Sequence, residues 1–556
     1  MHAETVFVGG SIFTAGMASS APGAVAVTGG RITALGSDEE ILDLRGPGTE
    51  IVEVKGGLVI PGFQDAHVHP AMGGVDLLRC SVFHCDSAEE DLEVIGAYAA
   101  AHPELEWIIG SGWNMAHFPG GTPTRQMLDS VLPDRPAFLP NKDGHGAWVN
   151  TAALRAAGIT EETPDPSDGR IEREPDGYPS GTLHEGAADL VGRLLPKTSP
   201  EETLRGLLLA QEQLLALGIT GWQDAAVGDV FEQGDLLETY LSIAARGALA
   251  ARVVGALWWD RDRSSDQIPD LVQRRADGGA GRFVPSAVKI MLDGVAENYT
   301  AAMLEPYLDG CGCHTDNSGL DFVDPEGLKE YVTELDRLGF QVHFHALGDR
   351  AVRHALDAIE AARDANGPQG GRHHLAHLQV VHPDDIGRFA ALGATANMQP
   401  LWACNEPQMT ELTIPYLGER RARWQYPWSD LLSAGATMAA GSDWSVSSPN
   451  PLEGIHVAVN RRAPGDDEAE VFLPEQRISL ADAVSAYTAG SARVNGREAD
   501  TGALTAGYLA DLAVIDRDIF TRPVDEIARA SVTATYIEGE CVYRASEARG
   551  DDRGMP

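Results

Sequence analysis

The chain has 556 residues, 42 of them Lys or Arg and 82 Asp or Glu, for a net charge of −40. A composition of 43% hydrophobic and 22% charged residues is that of a globular protein and excludes bulk disorder. The acidic balance excludes a sequence-independent nucleic-acid surface and an anionic-membrane surface, which need cationic patches, and no apolar run reaches the roughly 20 residues of a membrane span.

The N-terminus, MHAETVFVGG, lacks a basic flank ahead of an apolar stretch, so no export signal is expected. Six scattered cysteines are no disulfide framework, and the expected compartment is a reducing cytoplasm. Cys311-Gly-Cys313-His314 lacks the second ligand pair of a structural zinc site. Residues 5–56 alternate short apolar runs with turns, and Gly29-Gly30 reads as a hairpin. The same grammar returns in ADLAVIDRD and VTATYIEGECVYRA near the C-terminus. Neither end holds enough strands for a stable sheet. One composite β-sandwich from residues 1–56 plus 497–545 is therefore expected, with 546–556 as a disordered tail.

Between the ends, eight short β-rich runs alternate with helical patterns: 57–66, 218–225, 251–259, 286–294, 340–346, 372–378, 394–400 and 436–443. Among the helices, SPEETLRGLLLAQEQLLALG opens with a capping-box signature at Ser199 and Glu202. DPEGLKEYVTELDRLG places Leu328, Val332 and Leu335 on one face. Eight βα units imply an α/β fold of TIM type, a (β/α)8 barrel, over residues 57–69 plus 201–496. The stretch 70–200 is too long for one βα unit and is expected to be an inserted lid domain over the barrel mouth.

Active sites of such barrels lie at the C-terminal ends of the strands. There the sequence places His67 and His69 (strand one), Lys289 (four), His345 (five), His377 (six) and Asp443 (eight). Residues two apart at a strand end point to the same side, so His67 and His69 can reach one ion. Imidazoles and a carboxylate are ordinary zinc ligands. Lys289 cannot ligate as an ammonium. It could do so as a carbamate formed with CO2, or could instead be a structural partner of Asp293 or Glu297. His343 is a rival to His345, and His373 and His374 are rivals to His377.

The segments GGLVIPGFQDAHVHP (56–70), DGHGAWVNTAAL (143–154), VKIMLDGVAENYTAAM (288–303), HFHALGDRAV (343–352), AHLQVVHPDDIGRF (376–389) and GSDWSVSSPNPLEGI (441–455) resemble the amidohydrolase superfamily. More narrowly, they resemble its family 3 branch, with YtcJ-like proteins and N-substituted formamide deformylases. The resemblance covers nearly the whole chain. It implies a metal-bearing barrel with a composite sandwich, and His67, His69, Lys289, His345, His377 and Asp443 as metal-site residues. One departure is Ala376, where this branch commonly carries an acidic residue before the strand-six histidine.

The expected reaction is hydrolysis of a C–N bond of an N-substituted amide or formamide. One or two Zn2+ ions would activate water, with Asp443 as general acid/base and Lys289 open to carboxylation. Deamination, carbamate or lactone hydrolysis, or isomerisation of a small molecule is the alternative on the same site. His145, Trp148, Asn150 and Glu185 are the expected substrate contacts, and Trp113, Trp402, Trp424 and Trp444 could line an apolar pocket. Ser442 is expected to shape its loop, since no G-x-S-x-G elbow is present. The expected partners are a small-molecule substrate and a second copy of the chain in a homodimer, with no nucleic acid and no membrane.

Overall fold

A computed structural model describes residues 2–230, 234–368, 371–466 and 468–546. Residues 547–556 of the expected tail lie outside the described residues. One sheet holds eight parallel strands: β1 (Phe63–Val68), β2 (Ile219–Val227), β3 (Arg252–Trp258), β4 (Phe283–Met291), β5 (Gln341–Ala346), β6 (His374–His377), β7 (Thr395–Met398) and β8 (Thr437–Ala440). They are ordered as in the sequence and form a nearly closed barrel. Every residue of β1 and β2 is buried, as parallel strands covered by helices outside and packed side chains inside require.

The helices between strands bury the faces their periodicity marks. Pro325–Arg337, capped by Asp324, turns Leu328, Val332 and Leu335 inward. The helix Pro200–Ala216 is capped by Ser199, but its capping box is only half formed. The Glu202 carboxylate is drawn instead to Arg79 Nε at 2.8 Å. Helix Pro70–Asp76 packs against this helix at Gly74, where a Cβ would lie 1.9 Å from the Gly206 carbonyl oxygen.

The run 57–66 proves to be two strands. Leu58–Pro61 pairs antiparallel with Leu512–Ile515 in the terminal sheets, and only Phe63–Val68 enters the barrel. Pro61 has no N–H to continue a ladder, and a Cβ at Gly62 would lie 2.3 Å from Thr220 Cγ2, so the chain crosses from one sheet to the other there. The terminal sheets hold four and six strands. The four-stranded one comes from residues 3–53 alone, and the six-stranded one joins Ser11–Ile12, Ala21–Pro22 and Leu58–Pro61 to three C-terminal strands. Phe7, Val25, Val27, Leu512, Val514 and Tyr536 form their common core, with Phe7 edge-on to Tyr536 at 4.8 Å.

The insertion carries its own six-stranded sheet between Cys80 and Glu185. One side of it holds a core with Trp113, Phe118 and Trp148, which also takes in Leu412 from the loop after β7. The other side holds Phe138, Val149, Leu154 and Leu183. All six cysteines are free, and no helix among the described residues is long and apolar enough to cross a membrane.

Candidate active site

The two flanking strands of the barrel, β8 and β1, share no ladder among the described residues. Their ends are joined by the site itself. Asp443 N–H donates to the His67 carbonyl at 2.8 Å, and His69 N–H to the Trp444 carbonyl at 2.8 Å. Asp65 spans the same gap, accepting the His67 N–H at 2.9 Å and the Ser442 N–H at 3.1 Å. Ser442 therefore does shape its loop, and its Oγ also accepts the Trp444 N–H at 3.1 Å.

Above this seam, Asp443 Oδ1 lies 3.0 Å from His67 Nε2 and 3.2 Å from His69 Nε2. One ligand atom from each of these three residues falls within 4.8 Å of the others, so they could share one metal ion. His377 Nδ1 stands 3.8 Å from Asp443 Oδ2, and the His377 ring is 4.5 Å from that of His345. Both ring nitrogens of His377 are buried with no hydrogen-bond partner among the described residues, while His345 Nδ1 stands 3.4 Å from Asp293 Oδ1. Buried nitrogens left open around an acceptor carboxylate fit a divalent cation. Burial drives His345 and His377 well below the usual imidazole range. Burial and Lys289 bring His67 down to about 3 against the pull of Asp443. All three rings are thus neutral, as metal ligation requires. Burial would raise Asp443, but the surrounding imidazoles hold it well below the usual carboxylate range, so it is ionised.

Lys289 is buried beside this group, in register with His343 on β5. Burial lowers it to about 7 against the opposing pull of Asp443 and Asp224. It is not the structural partner of Asp293 or Glu297. Asp293 accepts the N–H groups of Ala302, Leu347 and Gly348 at 2.9, 3.1 and 2.9 Å. Glu297 accepts Thr413 Oγ1 at 2.6 Å.

The rival histidines separate by depth. His343 sits one layer below His345 on the same face of β5, and its Nε2 meets His67 Nδ1 at 2.7 Å. His374 lies deeper, bonded to Gln223 at 2.9 Å, and His373 faces away to Asp336 at 3.1 Å. Of the three, only His377 faces the chamber. Asp65 and Asp224 are supporting residues that sequence reasoning did not name, and His343 and Asp293 are two that it named in other roles. Asp65 had a visible signal, since in Asp-Ala-His-Val-His it shares the alternation of His67 and His69.

The chamber, of about 490 Å3, is bounded below by His67, His69, Lys289, His345, His377 and Asp443. Its roof is the lid, through His145 and Glu185, whose Nδ1 and Oε2 are 2.9 Å apart. Burial alone would lower His145, but Glu185 and Asp143 outweigh it and raise the ring to about 9. Trp402 forms a wall, stacked on His377 with ring centroids 5.1 Å apart.

Two of the expected substrate contacts are corrected. Trp148 lies in the core of the lid, where its Nε1 donates to the Thr124 carbonyl at 2.9 Å. Asn150 caps the helix Thr151–Ala157 and binds Ala137 N–H, Leu132 O and Arg135 O. Both hold the lid together, and neither lines the chamber. Trp113 belongs to the same core as Trp148, and neither Trp424 nor Trp444 is among the chamber residues.

A parallel barrel with this donor set at its mouth belongs to the class of metal-dependent hydrolases. The sequence matches the profile of the amidohydrolase family over residues 50–543, and the chain belongs to that family. It is 30% identical to YtcJ of Bacillus subtilis (strain 168), over 98% of this chain and 100% of that protein. It is 28% identical to an N-substituted formamide deformylase of Arthrobacter pascens, over 97% of this chain and 98% of that one. A metal-dependent hydrolase from Pyrococcus furiosus superposes with a TM-score of 0.67 at 25% identity, covering 91% of this chain and 98% of its own. The protein is accordingly a hydrolase acting on C–N bonds.

Proposed function

We propose that the chain hydrolyses the C–N bond of an N-substituted amide or formamide. The carrying observation is the His67–His69–Asp443 group at the barrel mouth, under a lid that encloses a chamber of small-molecule size. The likeness to an N-substituted formamide deformylase supports the substrate class.

His67, His69, His345, His377 and Asp443 would hold one or two zinc ions, with Lys289 completing the set as a carbamate. Its lowered pKa keeps part of the amine neutral near pH 7, which is the form that reacts with CO2. When bound, the ion would lower the pKa of water toward neutrality and polarise the substrate carbonyl. Asp443, ionised and facing the chamber, accepts the proton of the attacking water and returns it to the leaving nitrogen. His145, held by Glu185, contacts the substrate from the lid, and Trp402 offers an apolar wall for the N-substituent.

The test is a panel of N-alkyl and N-aryl formamides and amides, scored for amine and acid release. Turnover is expected, lost on chelation, restored by zinc, and reduced by about 10^3-fold or more in Asp443→Asn. Full activity without metal, or in Asp443→Asn, overturns the proposal. Turnover confined to lactones, carbamates or exocyclic amines would select the alternative chemistry.

A further inference from the structure

Glu185 and His145 are fixed more firmly than a passive wall of the chamber needs. Glu185 ends its strand with φ of +51°, a left-handed conformation costly for a side chain of this kind. Its Oε2 meets His145 Nδ1 at 2.9 Å, and its Oε1 accepts Thr300 Oγ1 at 2.6 Å. The His145 carbonyl accepts both the Glu185 N–H and Asn298 Nδ2, each at 2.9 Å. The His145 N–H is taken by Asp143 Oδ1 at 2.9 Å.

Thr300 and Asn298 belong to the loop that follows β4, the strand of Lys289. Gly294 of that loop makes room for the carboxylate, since a Cβ there would lie 2.3 Å from Glu185 Oε1. Glu185 of the lid therefore holds the imidazole itself, while the barrel loop holds the His145 backbone through Asn298 and the Glu185 carboxylate through Thr300. The ring is carried to 5.4 Å from that of His345 and lines the chamber with it. With Nδ1 turned to Glu185, the remaining ring nitrogen, Nε2, is the one left to meet a substrate.

We propose that His145 is a catalytic residue supplied by the lid. Its Nδ1–H is given to Glu185, and its Nε2–H donates a hydrogen bond to the scissile carbonyl oxygen as that oxygen becomes an oxyanion. Glu185 is the positioning residue that fixes the ring and balances its charge. This rests on the hydrolytic reading above and adds a donor from the lid, whereas every metal-site residue comes from the barrel strands and the loops at their ends. A preorganised donor of this kind acts on the transition state more than on substrate binding.

The test uses zinc-loaded wild type, His145→Ala, His145→Gln and Glu185→Gln, with zinc content measured for each. Two readouts are taken: the affinity for phenylphosphonate, a tetrahedral oxyanion, by calorimetry, and kcat and KM on the best formamide or amide of the panel. Expected are unchanged zinc content, kcat lower by about 10^2–10^3-fold in His145→Ala with KM within a few-fold, and phenylphosphonate affinity lower by at least tenfold. His145→Gln, which keeps a side-chain N–H donor, recovers part of both, and Glu185→Gln falls between. Unchanged phenylphosphonate affinity in His145→Ala, or no binding to the wild type, overturns the proposal. Failure of the hydrolytic reading looks different: the wild type cleaves no member of the panel, while the phenylphosphonate contrast between wild type and His145→Ala remains.

Discussion

His67 turns Nε2 to the chamber because Nδ1 is held from below by His343 Nε2 at 2.7 Å. The alternating strand makes this possible, for His343 and His345 share a face of β5 and differ by one layer. One faces the chamber and the other orients its neighbour. Partners of this kind fix the tautomer and direction of a ligating ring and are worth about 10–100-fold in metal affinity. The variant His343→Phe keeps the volume but loses the nitrogen. Its zinc affinity, measured by competition with a chromophoric chelator, is expected to fall by about that factor. Wild-type affinity in this variant would show that His67 needs no support from below.

At the scale of elements, β6 is tied at its lower end through His373. Asp336 accepts from His373 Nε2 at 3.1 Å, from Asn366 Nδ2 at 2.8 Å and from the Gly371 N–H at 2.9 Å. Burial would raise its carboxyl, but these bonds outweigh burial and hold it at about 2. In the unfolded chain it titrates near its ordinary value of about 3.9. The stability it contributes is thus complete above about pH 4 and is lost as pH falls toward 2, where the unfolded state takes up the proton first. The urea midpoint of the wild type should drop more between pH 5 and pH 3 than that of Asp336→Asn; equal drops would remove Asp336 from the acid response.

The barrel strands were legible at this scale because each is a short apolar run bounded by turns, and a parallel sheet needs both faces apolar. The rim residues were legible because they recur at strand ends. The split of 57–66 was not, since Pro61-Gly62 can end a strand or merely bend it. Trp148 and Asn150 were misplaced for a related reason. Alternation in Gly146–Val149 shows that Trp148 faces away from Ala147 and Val149, but not which face of the lid sheet looks into the chamber.

For the molecule as a whole, the terminal sheets are locked to the lower end of the barrel by a cluster of charges. Arg252, at the start of β3, pairs with Asp511 at 2.9 Å and with Glu538 at 2.7 Å. Asp511 also accepts the Glu538 N–H at 2.8 Å. Removing Asp511 takes away the buried acceptor of this cluster but leaves Arg252 its partly exposed partner Glu538, at a cost of about 1–3 kcal/mol. Asp511→Ala is expected to lose that much in urea unfolding while its zinc content stays at the wild-type level. A loss below about 1 kcal/mol would mark the pair as a surface contact. The net charge of −40 is a property of the whole chain, whereas the floor of the chamber is set by imidazoles, one lysine and one aspartate.

The seam between β8 and β1 also has a consequence for the order of events during synthesis. Asp65 and Ser442 are 377 positions apart, so the bond that closes the barrel mouth is among the longest in sequence. A chain emerging N-terminus first carries His67 and His69 for most of its translation before Asp443 exists to face them. The strands between can pair with their neighbours as they appear, but the cation site stays incomplete until strand eight is made. The polypeptide thus delays its own completion: the group of His67, His69 and Asp443 can come into being only when the scaffold that encloses it is nearly finished.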